Sequence, residues 1–400
     1  MSQAALHTSS ARSLMFVAGE NSGDQHAARL IGELRQRDPS LHCFGFGGEA
    51  MAHAGMELIE NLAQRLPIIG LSQAIRHYPT LRRLYKRAVD LLATRRPNAL
   101  VLVDYPGFNL RLAQEARKLG IPVIYYISPQ VWAWNKHRLR IIADTVSLML
   151  VILPFEAELY RRKGVPVAYV GHPLLDHESP THSRAEVLAR LGLPSDAYVV
   201  GLIPGSRIPE VRRHLPVLLE AAVAITRELP NAAFVIPQAT TVSRELIDNH
   251  VRGYPQLRVA IADGQLASIR SALDFALCKS GTSTLELALA DVPMVIFYKV
   301  SLPTMLFAKA VLRIPWVGLV NIIANEMIVP ELLQHDATPE RLARAALGII
   351  RSPEQLTRMR EGLARVRRAM GRSGASARAA EEILHYLQQS ESAERLERPS

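Results

Sequence analysis

The chain has 400 residues, 48% of them hydrophobic and 21% charged, so it can bury the cores of two or three domains and is not disordered. Its net charge of +10 favours acidic partners, such as nucleic acid, anionic lipid headgroups or phosphorylated substrates, without choosing among them. The cysteines, Cys43 and Cys278, lie in separate apolar runs and predict buried thiols rather than a disulfide or a zinc site. We expect no signal peptide, because no cationic segment precedes a long apolar one, and no membrane-spanning helix, which needs about 20 apolar residues.

Short apolar runs alternate with helical patterns along the first half of the chain. The runs are continuous in Val, Ile and Leu, which is typical of parallel strands that are buried on both faces. Their alternation with helices indicates βαβ units. In chain order we predict strand 13–19, helix 26–36, strand 42–48, strand 99–106, helix 109–120, strand 121–128 and a further apolar run at 165–173.

A segment rich in His, Ser, Pro and charge separates this series from a second one. The second series is predicted as strand 198–207, a helix to about 229, strands 232–237, 257–263 and 274–278, a helix from 282, and strand 292–299. The fold class is therefore α/β, with two Rossmann-like halves and parallel sheets. We predict an N-terminal domain at 1–173, an inter-domain segment at 174–197, a second domain at 198–370, and a C-terminal helix and tail at 371–400 that could pack on the first domain or on a partner subunit.

The sequence KSGTST, residues 279–284, lies between a predicted strand and a predicted helix. In an open parallel sheet ligands bind beyond the carboxyl ends of the strands, and the free N–H groups of a helix start favour an anion. Small residues allow a close approach, so we predict phosphate or diphosphate binding here. The candidate residues are Ser280, Gly281, Thr282, Ser283 and Thr284. The alternative is an ordinary helix cap by Ser280 or Thr282.

Two neighbouring residues strengthen the hypothesis of an anion site. Glu286 lies one helical turn past Thr282, where a carboxylate can accept hydrogen bonds from ribose hydroxyls. Arg207 ends a second strand-to-helix turn, PGSR, and its guanidinium suits a phosphate group. The alternatives are a solvated helix glutamate at Glu286 and a surface ion pair between Arg207 and Glu210.

Carboxylates also follow strands in the first half. Asp104 stands at the end of an apolar strand and is a candidate general base; the alternative is a cap for the following helix. The turn AGENSGD offers Glu20, Ser22 and Asp24, which suit sugar hydroxyls or an amine better than phosphate. Capping of the first helix by Ser22 or Asp24 is the alternative there.

Residues 66–96 combine an apolar stretch with a basic helix. The apolar residues Ile68, Ile69 and Leu71 are candidates to receive acyl chains, and Arg82, Arg83 and Lys86 to meet anionic lipid headgroups. The alternative is a core-packed helix with a solvated basic face. Without interleaved exposed aromatic residues the segment argues against nucleic acid as a partner. No Asp-x-Asp, HxH or HExxH spacing occurs, so we infer no metal site.

Several motifs together resemble those of the lipid-A-disaccharide synthase family, in the same order and at compatible spacing. They are AGENSGD (18–24), VDYPGFN (103–109), SPQVWAW (128–134), LPFE (153–156), GHP (171–173), PGSR (204–207) and SGTSTLE (280–286) with the following VPMV. The resemblance extends from about residue 13 to about residue 388. One departure is Asn21, where a small residue is expected.

The resemblance implies a GT-B architecture, in which two Rossmann-like domains face a central cleft. It implies transfer of 2,3-diacylglucosamine from UDP to 2,3-diacylglucosamine 1-phosphate, giving a β-1,6-linked tetraacyl disaccharide 1-phosphate in lipid A biosynthesis. Arg207 would contact the diphosphate, residues 280–284 phosphate, Glu286 the ribose, and Asn321 would be a further UDP contact. Asp104 matches the proposed base position, and Glu20 and Asp24 the acidic first turn.

The same resemblance implies an enzyme that is peripherally associated with the cytoplasmic face of the inner membrane of Gram-negative bacteria. It implies no cofactor and allows a homodimer. Two other functions remain open at this point. A UDP-sugar epimerase of the same fold would share the nucleotide half but needs no acyl-binding surface. A non-catalytic basic protein of the membrane surface would give Asp104 no role.

Overall fold

The computed structural model of the chain describes residues 12–19, 21–62, 78–129, 131, 136–176, 182–264, 266–301, 304–305 and 314–397. The chain divides into two compact units. The first unit joins residues 1–176 to residues 372–400, and the second consists of residues 177–371.

The first unit is a parallel α/β unit up to residue 176. Its described elements are β1 (Ser13–Ala18), α1 (Asn21–Arg37), β2 (His42–Gly47), α2 (Glu49–His53), β3 (Glu57–Asn61), α3 (Tyr78–Arg95), β4 (Ala99–Val103), α4 (Pro106–Lys118), β5 (Val123–Tyr126), α5 (Lys136–Thr145), β6 (Leu148–Val151), α6 (Pro154–Arg161) and β7 (Val167–Tyr169). The strands form a parallel sheet in the order β3-β2-β1-β4-β5-β6-β7.

Both faces of this sheet are covered, which explains why its strands show no polar alternation. Along β1, Met15 and Val17 belong to one core cluster, whereas Leu14 and Phe16 belong to a second cluster. Successive side chains of a strand point to opposite faces, so the two clusters lie on opposite sides of the sheet.

The second unit repeats the architecture. Its described elements are α7 (Arg184–Leu191), β8 (Tyr198–Ile203), α8 (Ile208–Glu228), β9 (Ala232–Gln238), α9 (Arg244–Val251), β10 (Val259–Asp263), β11 (Phe275–Lys279), α10 (Ser283–Leu289), β12 (Met294–Tyr298), α11 (Leu319–Ala324), β13 (Glu331–Leu333), α12 (Pro339–Ile350) and α13 (Pro353–Ala369). The strands are parallel in the order β10-β9-β8-β11-β12-β13.

The last helix, α14 (Ala375–Glu397), belongs to the first unit. Ala379, Ala380 and Ile383 are fully buried in the same cluster as Leu14 and Phe16. The helix start is held by Asp176, whose carboxylate accepts hydrogen bonds from the backbone N–H groups of residues 374–376 at 2.7–3.0 Å. The C-terminal helix therefore completes the core of the first unit.

The predicted fold class, two Rossmann-like units with parallel sheets, is confirmed. Helix α1 begins at Asn21, earlier than the predicted residue 26, so Ser22 and Asp24 lie in its first turn. In each sheet the strand order reverses at one point, between β1 and β4 in the first unit and between β8 and β11 in the second. Ligands of doubly wound folds bind at such points, so the turns after these four strands are candidate binding sites.

Candidate functional site

The two predicted anion turns of the second unit lie side by side. Strands β8 and β11 are neighbours, with Ile203 paired to Cys278, so the turn PGSR and the turn KSGTST leave adjacent strand ends. Gly205 has a φ of +115°, in the region that favours glycine, and a Cβ there would overlap the carboxylate of Glu210. The backbone of the PGSR turn thus passes directly against Glu210.

Glu210 joins the two turns electrostatically. Lys279 Nζ lies 3.1 Å from Glu210 Oε1, and Arg207 lies 3.6 Å from the same oxygen. The predicted alternative, an ion pair between Arg207 and Glu210, is therefore present. The side chain of Arg207 is nevertheless 51% exposed, against 12% for Glu210, so its guanidinium can also reach a ligand.

Lys279 is a functional candidate that the sequence reasoning missed. Its side chain is 17% exposed, and its ammonium lies 5.4 Å from the ring centroid of Tyr298, within range of a cation–π contact. The sequence feature that could have identified it is a lysine at the end of an otherwise buried strand, immediately before the glycine turn. Together with Arg207 it gives this strand edge two cations for one carboxylate.

The hydroxyl groups of the KSGTST turn divide into two kinds. Ser280 and Thr284 are buried, and their hydroxyls donate to the carbonyl oxygens of Val317 at 2.9 Å and of Gly281 at 2.7 Å. Thr282 is exposed and makes no side-chain cap to the helix. The capping alternative for Ser280 and Thr282 is therefore wrong. The hydroxyls of Ser280 and Thr284 stabilise the turn, and Thr282 and Ser283 are its accessible side chains.

Glu286 lies in the first turn of α10, as predicted, and is half-buried. Burial raises the pKa of its carboxyl to about 6, although the positive charge of Arg270 opposes the shift. A carboxyl with this pKa changes charge near neutral pH. Perturbed acids at strand-to-helix turns are typical of functional sites.

Asn321 has a different place from the one expected of a UDP contact. Its amide nitrogen donates to Val329 O at 2.9 Å and to Glu331 Oε1 at 2.7 Å, and its amide oxygen accepts from the N–H groups of Ile328 and Val329. The side chain is fully buried with its hydrogen-bonding capacity filled. The geometry therefore argues against a direct contact and makes Asn321 a support of Glu331.

Glu331 in turn supports the segment that meets the turn. Its carboxylate accepts from the N–H groups of Val317 at 2.8 Å and Gly318 at 2.9 Å. Val317 is the residue whose carbonyl receives the hydroxyl of Ser280. Asn321, Glu331 and Ser280 thus form one chain of hydrogen bonds that ends at the KSGTST turn.

In the first unit, Asp104 follows β4 at the point where the strand order reverses, and it is half-buried. Helix α4 begins at Pro106, and its N-cap residue is Tyr105 rather than Asp104. Both Asp104 and Tyr105 have left-handed backbone conformations, with φ of 49° and 48°. Such conformations in non-glycine residues are uncommon and cluster at functional sites.

The acidic first turn is partly structural. Asp24 is 3% exposed, and its carboxylate accepts from the N–H groups of Gly48, Ala50 and Met51 at 2.8–3.1 Å. It therefore fastens the start of α2 to α1, and we do not place it against a sugar. Ser22 is exposed in the first turn of α1, whereas Glu20 lies outside the described residues.

The basic helix α3 packs on the core through Leu84, Ala88 and Leu92, as expected for the alternative of a core-packed helix with a solvated basic face. Arg82, Arg83 and Lys86 are exposed on its other side. The prediction for Ile68, Ile69 and Leu71 concerns residues outside the described ranges. Over the described part of the chain, no helix is long and apolar enough to cross a membrane, and no group of three or more His, Cys, Asp or Glu is placed to hold a metal ion.

Comparison with known proteins decides the family. The family model described as lipid-A-disaccharide synthetase matches residues 14–384. The chain belongs to the lipid-A-disaccharide synthase family. Its relatives in this family include the synthases of Geobacter metallireducens, 41% identical over 94% of this chain and 97% of that protein, and of Myxococcus xanthus, 39% identical over the same shares.

Solved structures share the fold at low sequence identity. A glycosyltransferase of kitacinnamycin superposes with a TM-score of 0.63 over 94% of this chain and 99% of that one, at 16% identity. The UDP-GlcNAc 2-epimerase of Neisseria meningitidis, bound to UDP-GlcNAc, gives 0.62 over 93% and 100%, at 13% identity. The GT-B fold class is thus common to transferases and epimerases, and membership of the lipid-A-disaccharide synthase family makes this chain a glycosyltransferase of lipid A biosynthesis.

Proposed function

We propose that the chain transfers 2,3-diacylglucosamine from UDP to the 6-hydroxyl of 2,3-diacylglucosamine 1-phosphate, releasing UDP and a β-1,6-linked tetraacyl disaccharide 1-phosphate. The observation that carries this proposal is the pair of turns after β8 and β11. Arg207 lies in one turn and Lys279 at the start of the other, and both form ion pairs with Glu210. Two cations beside small-residue turns suit a diphosphate. Solved relatives of the fold hold UDP or UDP-GlcNAc, which is consistent with a nucleotide-sugar donor.

The donor's leaving group would be stabilised by charge already in place. As the bond from the anomeric carbon to the diphosphate breaks, negative charge grows on UDP. Arg207 and Lys279 would balance that charge, and the start of α10 at Thr282 and Ser283 would bind a phosphate oxygen. Groups that are positioned before reaction need no rearrangement when the charge develops. Glu286 would accept hydrogen bonds from the ribose hydroxyls.

The acceptor's hydroxyl requires a proton acceptor, and Asp104 is our candidate. Attack of the 6-oxygen on the anomeric carbon, with transfer of its proton to the Asp104 carboxylate, forms the glycosidic bond while the bond to UDP breaks. A single displacement inverts the anomeric centre and gives the β linkage from an α donor. Ser22, exposed near the same strand ends, is a candidate contact for the acceptor sugar.

The acyl chains imply contact with a membrane surface. Arg82, Arg83 and Lys86 present positive charge on the exposed side of α3, although Glu60 lies 4.0 Å from Arg83 and neutralises part of it. We propose that this face meets anionic headgroups at the cytoplasmic side of the inner membrane. Each basic residue near such a surface contributes about 1 kcal/mol.

Mass spectrometry of the products tests the proposal. The enzyme is incubated with UDP-diacylglucosamine and diacylglucosamine 1-phosphate, and the disaccharide 1-phosphate and UDP are expected in equal amounts. Asp104→Ala should lower transfer to a small residual rate and leave binding to anionic vesicles intact, whereas the control Asp144→Ala, whose side chain is 68% exposed, should behave as the wild type. Isomerised UDP-sugar formed without acceptor, or unchanged turnover by Asp104→Ala, would contradict the assignment.

A further inference from the structure

The turn after β4 adopts a backbone conformation that needs support. Asp104 and Tyr105 are consecutive non-glycine residues with φ of 49° and 48°. Left-handed backbone is disfavoured for residues with a Cβ, and more so for a bulky tyrosine than for an aspartate. Such a pair persists when the surrounding structure holds it. The conformation matters because the backbone at Asp104 sets the direction in which its carboxylate points.

Two buried donors hold the carbonyl oxygen of Asp104. The hydroxyl of Tyr125 donates to this oxygen at 2.5 Å, and the amide nitrogen of Asn109 donates to it at 2.7 Å. Both donors are fully buried, Tyr125 in β5 next to β4 and Asn109 in α4. Burial raises the pKa of Tyr125, so its phenol keeps the proton that it donates.

The other side of the turn is closed by the end of β1. The ring of Tyr105 lies so close to Gly19 that a Cβ at position 19 would overlap it. The same ring stacks against Phe108, with centroids 6.0 Å apart. The amide nitrogen of Asn109 also lies 3.3 Å from the carbonyl oxygen of Val103 in β4 and 3.4 Å from that of Val17 in β1. Asn109 thus connects the turn to both of these strands.

We propose that Tyr125 and Asn109 are positioning residues for transfer: by binding the backbone carbonyl of Asp104 they hold its carboxylate in the direction that proton abstraction requires. This inference rests on the proposed role of Asp104 as the base. Loss of either donor would let the turn relax toward ordinary backbone conformations and swing the carboxylate away. A displacement of about 1 Å can lower a rate by about 100-fold, even when the substituted residue does not touch the substrate.

The primary variant is Tyr125→Phe, which keeps the ring and removes only the hydroxyl. We expect kcat to fall by about 10-fold or more while KM for both substrates stays within about 2-fold. Asn109→Asp, which replaces the donating amide by a carboxylate of the same shape, should show the same division between kcat and KM. If one variant fails to fold, as judged by circular dichroism, the other carries the test.

The matched control is Tyr160→Phe. Tyr160 is a fully buried tyrosine of the same core cluster, and its hydroxyl lies 2.6 Å from Ser128 Oγ rather than at the Asp104 turn. Loss of its hydroxyl should lower the melting temperature and leave kcat unchanged. Equal loss of kcat in Tyr160→Phe and Tyr125→Phe would indicate a general effect of core hydroxyls and overturn the inference.

A double-mutant cycle separates positioning from stability. In an Asp104→Ala background, where no carboxylate is left to aim, Tyr125→Phe should cause no further loss of the residual rate. Unchanged kcat in Tyr125→Phe alone, or a full additional loss in the double variant, would overturn the inference and leave the role of Asp104 standing. Wild-type turnover by Asp104→Ala would overturn both.

Discussion

Lys279 and Glu210 form an ion pair of 3.1 Å that connects the turn after β11 with the start of α8. The pair lies at the point where the strand order of the second sheet reverses. Glu210 holds Arg207 at 3.6 Å through the same carboxylate oxygen, while its other oxygen is buried and has no hydrogen-bond partner among the described residues. One carboxylate thus positions two cations at the neighbouring ends of β8 and β11.

Replacing Lys279 tests whether that charge serves the donor. Lys279→Met should raise KM for the UDP-sugar by about 10-fold or more, because a hydrogen bond to a charged group contributes about 1.5–3 kcal/mol. Steady-state kinetics with saturating acceptor measure the change. Lys118→Met, which removes a lysine that is 70% exposed, is the matched control. An unchanged KM for the donor in Lys279→Met would remove this residue from the proposed site.

The raised pKa of Glu286 predicts a pH dependence of donor binding. Burial raises this pKa to about 6, and only the ionised carboxylate accepts two strong hydrogen bonds from ribose. We therefore expect KM for the UDP-sugar to fall as the pH rises from about 5 to 7 and to level off above it. Glu286→Gln should raise KM at pH 8 and abolish this pH dependence, since glutamine does not titrate there. A pH profile that is identical in wild type and variant would contradict the ribose assignment.

The raised pKa of Glu286 also makes the stability of the protein depend on pH, in the opposite direction to donor binding. The folded state binds a proton at Glu286 more tightly than the unfolded state, because the folded pKa of about 6 exceeds the ordinary value of 4.5. Its contribution to the free energy of unfolding is therefore present below about pH 4.5 and is lost as the pH rises to 6. Chemical denaturation of wild type and Glu286→Gln at both pH values measures it.

Asn321→Ala distinguishes a structural residue from a UDP contact. The substitution leaves the backbone N–H groups of Ile328 and Val329 without their acceptor and removes one hydrogen bond to Glu331, which should lower the free energy of unfolding by about 1–3 kcal/mol. Denaturation in urea without ligand measures the loss. A variant as stable as the wild type with a raised KM for the donor would instead favour direct contact.

Asp176 should contribute to the stability of the first unit. Although burial opposes its ionisation, three hydrogen bonds from the N–H groups of Ser376, Ala375 and Gly374 lower its pKa below the ordinary 3.8. The stabilisation is therefore present above about pH 3.8 and is lost as the pH falls through the lowered pKa. Asp176→Ala should cost about 0.5–2 kcal/mol at pH 7, as for other helix caps, in thermal denaturation. Equal stability of variant and wild type at pH 7 would show that α14 docks without this cap.

Much of the fold and part of the site were predictable from the sequence. Strand and helix patterns are local properties of the chain, since a strand buried on both faces must be continuously apolar and a helix must repeat its apolar residues. The same reasoning located the turns at Arg207, Ser280 and Asp104, because polar or small residues after a buried strand stand out. Three strands were missed: β3, whose sequence ELIEN has three polar residues out of five, and the short strands β6 and β13.

The sequence by itself determined two βαβ series, their turn chemistry and the family. Only the tertiary structure decided which polar groups meet: Lys279 with Glu210, Ser280 with Val317, and Tyr125 with the carbonyl of Asp104. It also showed that the side chains of Asp24 and Asn321 form hydrogen bonds with buried backbone groups. The physical reason is the separation along the chain over which each kind of interaction acts. Backbone preferences act between neighbours in the chain, whereas a side chain's partner depends on strand order and register, which bring residues tens of positions apart into contact.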